Sequence, residues 1–229
     1  MSSSDLLKNS LIEFSNKRNK SNQFVDYDEY IYYQTVAGMS HEIDCDSWAK
    51  GQIICINDKF ESINRSSKIL VASCGDGVCL KQLKLLGFTD VTGLEICDEK
   101  INIAKTNNFN VIKMDICSGP FNLNEKYDVI YSSHTLEHVL NPMFTFKTIA
   151  NFLQEDGIIH LILPYTDIEA ANPNNNHRFK VHCGVIPLGL HINDNGNTIC
   201  DIFTKEGFKV ISKDLFSYRE PEIHLKICK

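Results

Sequence analysis

The 229-residue chain contains no apolar run near the ~20 residues that would span a bilayer. Its start, Met1-Ser2-Ser3-Ser4-Asp5, lacks the basic-then-apolar pattern of a signal peptide, and Ser2 in place of glycine excludes N-myristoylation. A cytoplasmic chain with no membrane partner is expected. Basic residues are not in excess either: 23 Lys and Arg against 29 Asp and Glu leave a formal charge of −6. That balance argues against nucleic acid as the partner. No two cysteines stand at C-x-x-C spacing, which excludes a zinc knuckle or thioredoxin-type site. The nine cysteines are odd in number, and Cys55, Cys117 and Cys228 lie in apolar runs. They read as reduced, mostly buried thiols rather than a disulfide framework. Internal repeats are also missing.

What is present divides into three stretches. Residues 1–65 are polar and Asn/Ser-rich, with aromatic residues at Phe24, Tyr27, Tyr30, Tyr32 and Tyr33. Helices are expected over Asp5–Ser15 and Asp46–Ile63. The second carries Trp48, Ile53, Ile56, Phe60 and Ile63 on one face, so the stretch reads as an N-terminal helical cap. From Lys68 onward, short apolar runs alternate with helical stretches. Strands are expected at Ile69–Ala72, Asp90–Glu95, Asn110–Met114, Tyr127–Tyr131 and Gly157–Leu163. Helices are expected up to Leu86, at Glu99–Thr106 and at Pro142–Leu153. Strands that are apolar throughout indicate a parallel sheet covered on both faces. After the Asn-rich loop Asn172–Asn176 and a His-bearing segment come a helix near Thr198–Glu206 and strands Phe208–Ser212 and Ile223–Cys228.

The chemistry begins at the turn Ser73-Cys74-Gly75-Asp76-Gly77, which follows the first strand. Glycines there let backbone approach a ligand and leave N–H groups aimed at it. Glu95 closes the second strand, where a carboxylate can accept from ribose hydroxyls. Asp115 follows the third, within reach of an adenine edge. These features fit any adenosine-type cofactor. A dinucleotide fingerprint needs a third glycine, and that position is Leu80. Asp76 in the turn also disfavours a pyrophosphate. A nicotinamide-linked oxidoreductase is therefore set aside, and a phosphate-free cofactor bearing a sulfonium and an amino acid fits better.

Ile69–Gly77 resembles the first motif of class I S-adenosylmethionine-dependent methyltransferases, written apolar-Leu-Asp-apolar-Gly-Cys-Gly-x-Gly. Val91–Glu95 resembles their ribose-binding motif, and Met114-Asp115-Ile116 the adenine-contacting step. Tyr127–Ile130 followed by His134–Pro142 resembles the fourth-strand motif of the small-molecule methyltransferases typified by ubiquinone-biosynthesis enzymes. The resemblance covers roughly 66–165 and 207–228. It implies a Rossmann-like, doubly wound, mostly parallel seven-stranded sheet over 66–229, with an acceptor-site insertion at about 165–197. The implied cofactor is S-adenosylmethionine, leaving as S-adenosylhomocysteine, held by Ser73, Cys74, Gly75, Gly77, Glu95, Ile96, Asp115, Ile116 and Ser132. The family's acid in the first strand is Val71 here, and its first glycine is Ser73. Those departures support the alternative of a cofactor-binding partner protein without catalysis.

His134, Glu137 and His138 stand at i, i+3 and i+4, one face of a helical turn. His134, following the fourth strand, is the leading candidate for a general base beside the transferred methyl, with His182 and His138 as further candidates. A divalent metal on His134, Glu137 and His138 with His177 or His182 is allowed by residue type but not favoured. His177 and Arg178, in the insertion, are candidate acceptor-binding residues, Arg178 for an anionic group. The acceptor is expected to be a small molecule methylated on O or N, a sugar, sugar nucleotide or surface-glycan unit being preferred by resemblance. A base-flipping Asn/Asp-Pro-Pro-aromatic motif is missing after the fourth strand, where Ser132-Ser133-His134-Thr135 stands. Monomer and homodimer remain open.

Overall fold

The chain's fold is given by a computed structural model that describes residues 45–119, 124–139, 141–164, 196–217 and 221–229. The expected helix Asp5–Ser15, the tyrosine cluster Tyr27–Tyr33 and the Asn-rich loop lie outside those residues.

All four residues of β1 (Ile69–Ala72) are buried, because this short run sits mid-sheet with helices on both faces. Alternation along the strand sends Leu70 and Ala72 to one face, with Phe146, Phe152 and Phe203, and Ile69 and Val71 to the other, with Phe60, Leu80 and Leu83. Fully burying each such side chain contributes about 1.5–3 kcal/mol. Before β1 comes α1 (Cys45–Phe60), and after it α2 (Val78–Leu85), β2 (Val91–Glu95), α3 (Asp98–Thr106), β3 (Asn110–Lys113) and β4 (Tyr127–Ser133). A 3-10 turn (Leu136–His138) leads to α4 (Pro142–Ala150), β5 (Leu153–Pro164), α5 (Asn197–Lys205), β6 (Lys209–Ser217) and β7 (Pro221–Cys228).

The seven strands form one sheet in the order β3-β2-β1-β4-β5-β7-β6, parallel from β3 through β5. β7 runs antiparallel between β5 and β6. The chain leaves β1 toward β2 and β3, then crosses back to β4 on the other side of β1. That reversal opens a crevice beyond the carboxyl ends of β1 and β4, the standard ligand position in such sheets. Among the described residues no helix is long and apolar enough to cross a membrane.

α1 packs on α2 and adds Cys55, Ile56 and Phe60 to the cluster that holds β1, so it is part of the main core. It stops at Phe60, short of the expected Ile63. The Arg65 guanidinium donates to the carbonyls of Phe60 (2.7 Å) and Ile63 (2.9 Å) there, satisfying groups the helix end leaves open. Helix α4 begins as its sequence suggests, with Pro142 in the first turn and Asn141 Oδ1 accepting from the Phe144 N–H at 3.0 Å. It ends at Ala150 rather than Leu153, because Leu153 pairs with Tyr127 at the start of β5. The register there shifts, with Leu153–Ile158 set against Tyr127–Val129. A bulge of this kind is not visible in an apolar pattern.

Gly93 marks a close approach between β2 and the turn after β1. A Cβ at this position would lie 2.5 Å from Cys74 Sγ and 3.1 Å from Leu80 Cδ1. Gly93→Ala should therefore lower stability by about 1–3 kcal/mol. Urea unfolding checks this, and an unchanged midpoint would contradict the packing.

His160 on β5 is buried against the Phe60 ring, with centroids 5.7 Å apart. Burial first, then the charges of Lys226 and Lys59, push it from 6.5 down to about 4. The unfolded chain thus takes up this proton before the folded one does. The contribution is complete above pH 6.5 and is lost as pH falls through 4, amounting to about 3 kcal/mol. In urea titrations between pH 7 and 4, His160→Gln should lose about that much less stability than wild type. Equal losses would show that His160 is not held neutral.

Candidate active site

The turn after β1 is built from unusual backbone. Ser73 has φ 55°, Gly75 58° and Gly77 101°. Left-handed backbone costs a non-glycine residue about 1–2 kcal/mol. Glycine at position 73 would avoid that cost, so Ser73 holds this conformation against a steric penalty. At Gly77 both reasons for glycine apply, since a Cβ would also lie 2.8 Å from the Phe109 ring. Val71 is 2% exposed within the apolar cluster, so an acid there would be buried.

Glu95, at the end of β2, ties this turn down. Its Oε2 accepts from the Gly75 N–H at 2.9 Å, and its Oε1 from Ile96 (2.8 Å) and Cys97 (2.9 Å). A carboxylate offers about four acceptor positions. Three are engaged, which leaves about one acceptor position open. The end of β3 joins the same edge, since the Met114 N–H donates to the Glu95 carbonyl at 2.9 Å. Asp115 Oδ1 accepts from the Cys117 N–H at 2.9 Å, closing a local turn that carries buried Ile116. Ile96 is half-buried, and Ser132 is buried in the adjacent β4. Ser73, Cys74, Gly75, Gly77, Glu95, Ile96, Asp115, Ile116 and Ser132 thus occupy the carboxyl edge of four neighbouring strands.

Past β4 lies a second polar assembly. His134 has φ 50°, and its N–H donates to the Ile162 carbonyl at 3.0 Å. So bulky a residue in left-handed backbone persists only where its surroundings over-determine it. Here Nδ1 lies 3.2 Å from Glu137 Oε1, and Nε2 lies 2.9 Å from Glu222 Oε1. His224 Nε2 reaches Glu222 Oε2 at 2.9 Å. Burial alone would lower the His134 pKa, but the hydrogen bonds to Glu137 and Glu222 outweigh it and raise it to about 10. For Glu222, burial raises the value while His134 and His224 pull it down to about 2.

This geometry bears on the general-base role expected of His134. Both ring nitrogens already face carboxylates, so no lone pair remains to take a proton. Its neighbour His138 is a fifth exposed, with Nε2 3.8 Å from Glu137 Oε1. The segment forms a 3-10 turn that starts after His134. His182, His177 and Arg178 lie outside the described residues. Sequence reasoning missed Glu222, His224 and Gln52. Gln52 on α1 donates to Ser133 Oγ (3.0 Å) and accepts from the Tyr131 hydroxyl (3.1 Å), locking α1 onto β4. The two-residue spacing of Glu222 and His224 on a strand puts both on one face, the signal that would have found them.

A family model described as a methyltransferase domain matches residues 55–213. The chain belongs to this methyltransferase-domain family. It is 29% identical over 116 residues to a ubiquinone biosynthesis O-methyltransferase of Glaesserella parasuis serovar 5 (strain SH0165), a match covering 46% of the chain and 48% of the relative. The match thus spans about half of that relative's length. Among solved structures, the fold is similar to a plantazolicin methyltransferase in complex with SAH, with TM-score 0.59, 15% identity, and 98% and 99% of the two chains covered. It is also similar to the magnesium protoporphyrin IX methyltransferase of Synechocystis PCC 6803 with bound SAH, with TM-score 0.57, 14% identity, and 93% and 92% covered. A glycopeptide N-methyltransferase complexed with sinefungin shares the fold at TM-score 0.57 and 11% identity, with 77% and 85% covered.

In the methyltransferase domain, Glu95→Gln keeps one acceptor oxygen and turns the other into a donor facing an N–H. Hydrogen exchange at Gly75, Ile96 or Cys97 should accelerate at least tenfold, the loss of a charge-assisted bond, while β4 and β5 amides stay unchanged. Unaltered exchange at all three would show that the carboxylate does not hold the turn.

Proposed function

We propose that this chain transfers a methyl group from S-adenosylmethionine to an oxygen or nitrogen of a small molecule. The observation that carries the reading is the Ser73–Gly77 turn pinned by Glu95 at the switch point of a methyltransferase-family sheet. Ser73, Cys74, Gly75 and Gly77 cradle the amino acid end of the cofactor. The remaining acceptor position of Glu95 takes a ribose hydroxyl, while Asp115 with Ile96 and Ile116 borders the adenine. Ser132 lies toward the methyl.

In the reaction an acceptor lone pair attacks the methyl carbon as the carbon–sulfur bond breaks. S-adenosylhomocysteine leaves, and the acceptor gives up a proton. Most of the acceleration comes from holding nucleophile and methyl in line at short range. An acceptor amine that arrives neutral needs no base. For a hydroxyl acceptor, His138 or His182 acts as the base in this scheme rather than His134, whose ring nitrogens are engaged. We carry forward a sugar, sugar nucleotide or glycan unit as the acceptor class, with His177 and Arg178 contacting it. The named relatives act on varied acceptors, so a test needs a broad panel.

A second reading, a cofactor-binding partner protein without catalysis, is favoured by one observation: Val71, at the family's acidic position, is packed in the core. Calorimetric titration with S-adenosylmethionine and S-adenosylhomocysteine, followed by labelled methyl transfer to amines, sugars and sugar nucleotides, separates the two. The enzyme reading expects heat with both cofactors and label in at least one acceptor. Heat without transfer to any acceptor favours the partner reading. No heat with either cofactor defeats both.

A further inference from the structure

We propose that Cys55, Glu222 and His224 form a binding site for one divalent late transition metal, zinc by the chemistry of the set. The three residues each offer a ligand atom, all within 4.8 Å of one another, and all are buried. The proposal is independent of the methyl-transfer reading.

The topology explains how they meet. Along β7, Ile223, Leu225 and Ile227 pack into the cluster with α4 and α5. Alternation therefore turns Glu222 and His224 to the opposite face, toward α1, which supplies Cys55. That face of a central strand is ordinarily apolar, yet here it carries a carboxylate and an imidazole only 8% and 3% exposed. Buried polar groups of this kind are normally fully hydrogen-bonded. With His224 Nε2 at 2.9 Å from Glu222, its Nδ1 has no hydrogen-bond partner among the described residues. A buried imidazole with one unpartnered nitrogen, in a cluster with a thiol and a carboxylate, has the chemistry of a metal ligand.

The donor set selects the ion. Magnesium and calcium favour oxygen ligands, whereas sulfur, imidazole nitrogen and carboxylate oxygen together suit zinc or cobalt. Tetrahedral zinc with bonds of roughly 2.0–2.3 Å holds its ligands roughly 3.5 Å apart. The three ligand atoms lie within 4.8 Å of one another, and His224 Nε2 and Glu222 Oε2 at 2.9 Å, so ligation needs adjustments of about an ångström or less in either direction. On binding, the 2.9 Å contact between His224 Nε2 and Glu222 Oε2 opens and the imidazole ligates in its neutral form. The Cys55 S–H bond breaks, its proton goes to solvent and the thiolate electron pair forms the metal–sulfur bond, so the step balances without a redox partner. Three protein ligands leave a fourth position for water, the arrangement of catalytic rather than structural zinc. Support from behind the ligands is already in place. His134 Nε2 holds the other Glu222 oxygen at 2.9 Å, the type of contact that orients a metal-binding carboxylate. A bound ion would tie α1 and β7 together directly beneath the end of β4.

The test is titration of the chelator-treated full chain with cobalt(II). The expected result is a thiolate-to-cobalt charge-transfer band with tetrahedral visible bands, saturating at one ion per chain and displaced by zinc. Cys55→Ser should remove the charge-transfer band, and His224→Gln should weaken cobalt binding at least tenfold. A wild-type chain without the band overturns the proposal, as does a band of full intensity in Cys55→Ser, which would place the ion on another cysteine. Circular dichroism establishes that each variant is folded. Should Cys55→Ser fail to fold, Cys55→Ala and the zinc-induced rise in wild-type melting temperature serve instead. A rise of equal size in His224→Gln also overturns the proposal.

Discussion

Glu95 holds three backbone N–H groups with one carboxylate, at Gly75, Ile96 and Cys97. Charge-assisted bonds of this kind are worth about 1.5–3 kcal/mol each, more than neutral ones. They fasten the strained turn after β1 to the end of β2 and to the start of α3. Without them nothing intrinsic to Ser73, at φ 55°, would keep it in left-handed backbone. The same contact requires β2 to lie close under the turn, which is why Gly93 packs against Cys74. The hold on the turn and the close packing of a glycine two residues earlier on the same strand are both linked to this one side chain.

The other half of the crevice is organised by charge. His134 sits between Glu137 and Glu222, and Glu222 also holds His224. Four polar groups are thereby gathered where β4, β5 and β7 adjoin. Each is costly to bury alone, and each is stabilised by its neighbour. Gln52 extends the network to α1 through Ser133 and Tyr131. Helix α1 is consequently bound to the carboxyl edge of the sheet by polar contacts as well as by the packing of Phe60 against Phe88 and Tyr131.

The parallel half of the sheet was legible because its strands are buried on both faces and bounded by Gly, Asp or Pro, so β1 through β3 fall within a residue or two of expectation. The positions of Glu95 and Asp115 at the carboxyl edge were legible because the apolar runs before them end there. β6 runs on to Ser217 instead of Ser212, since an edge strand with exposed Ile211, Leu215 and Phe216 carries no clean alternation. The start of β7 at Pro221 was equally hidden, and Glu222 with it, because proline is an unexpected first residue for a strand paired on both sides. His134 was singled out in the sequence, but its setting between two carboxylates was not legible there. Its two carboxylate partners are 3 and 88 positions away, and only the antiparallel return of β7 brings the second one in.

The central claim is that Glu95 positions the turn and the cofactor's ribose at once. A crystal structure with S-adenosylhomocysteine bound tests it most directly. The account expects one ribose hydroxyl within hydrogen-bond distance of Glu95 while the Gly75 N–H remains bonded to the same carboxylate. A ribose bound elsewhere, or a Glu95 that releases Gly75 to reach it, would contradict the account.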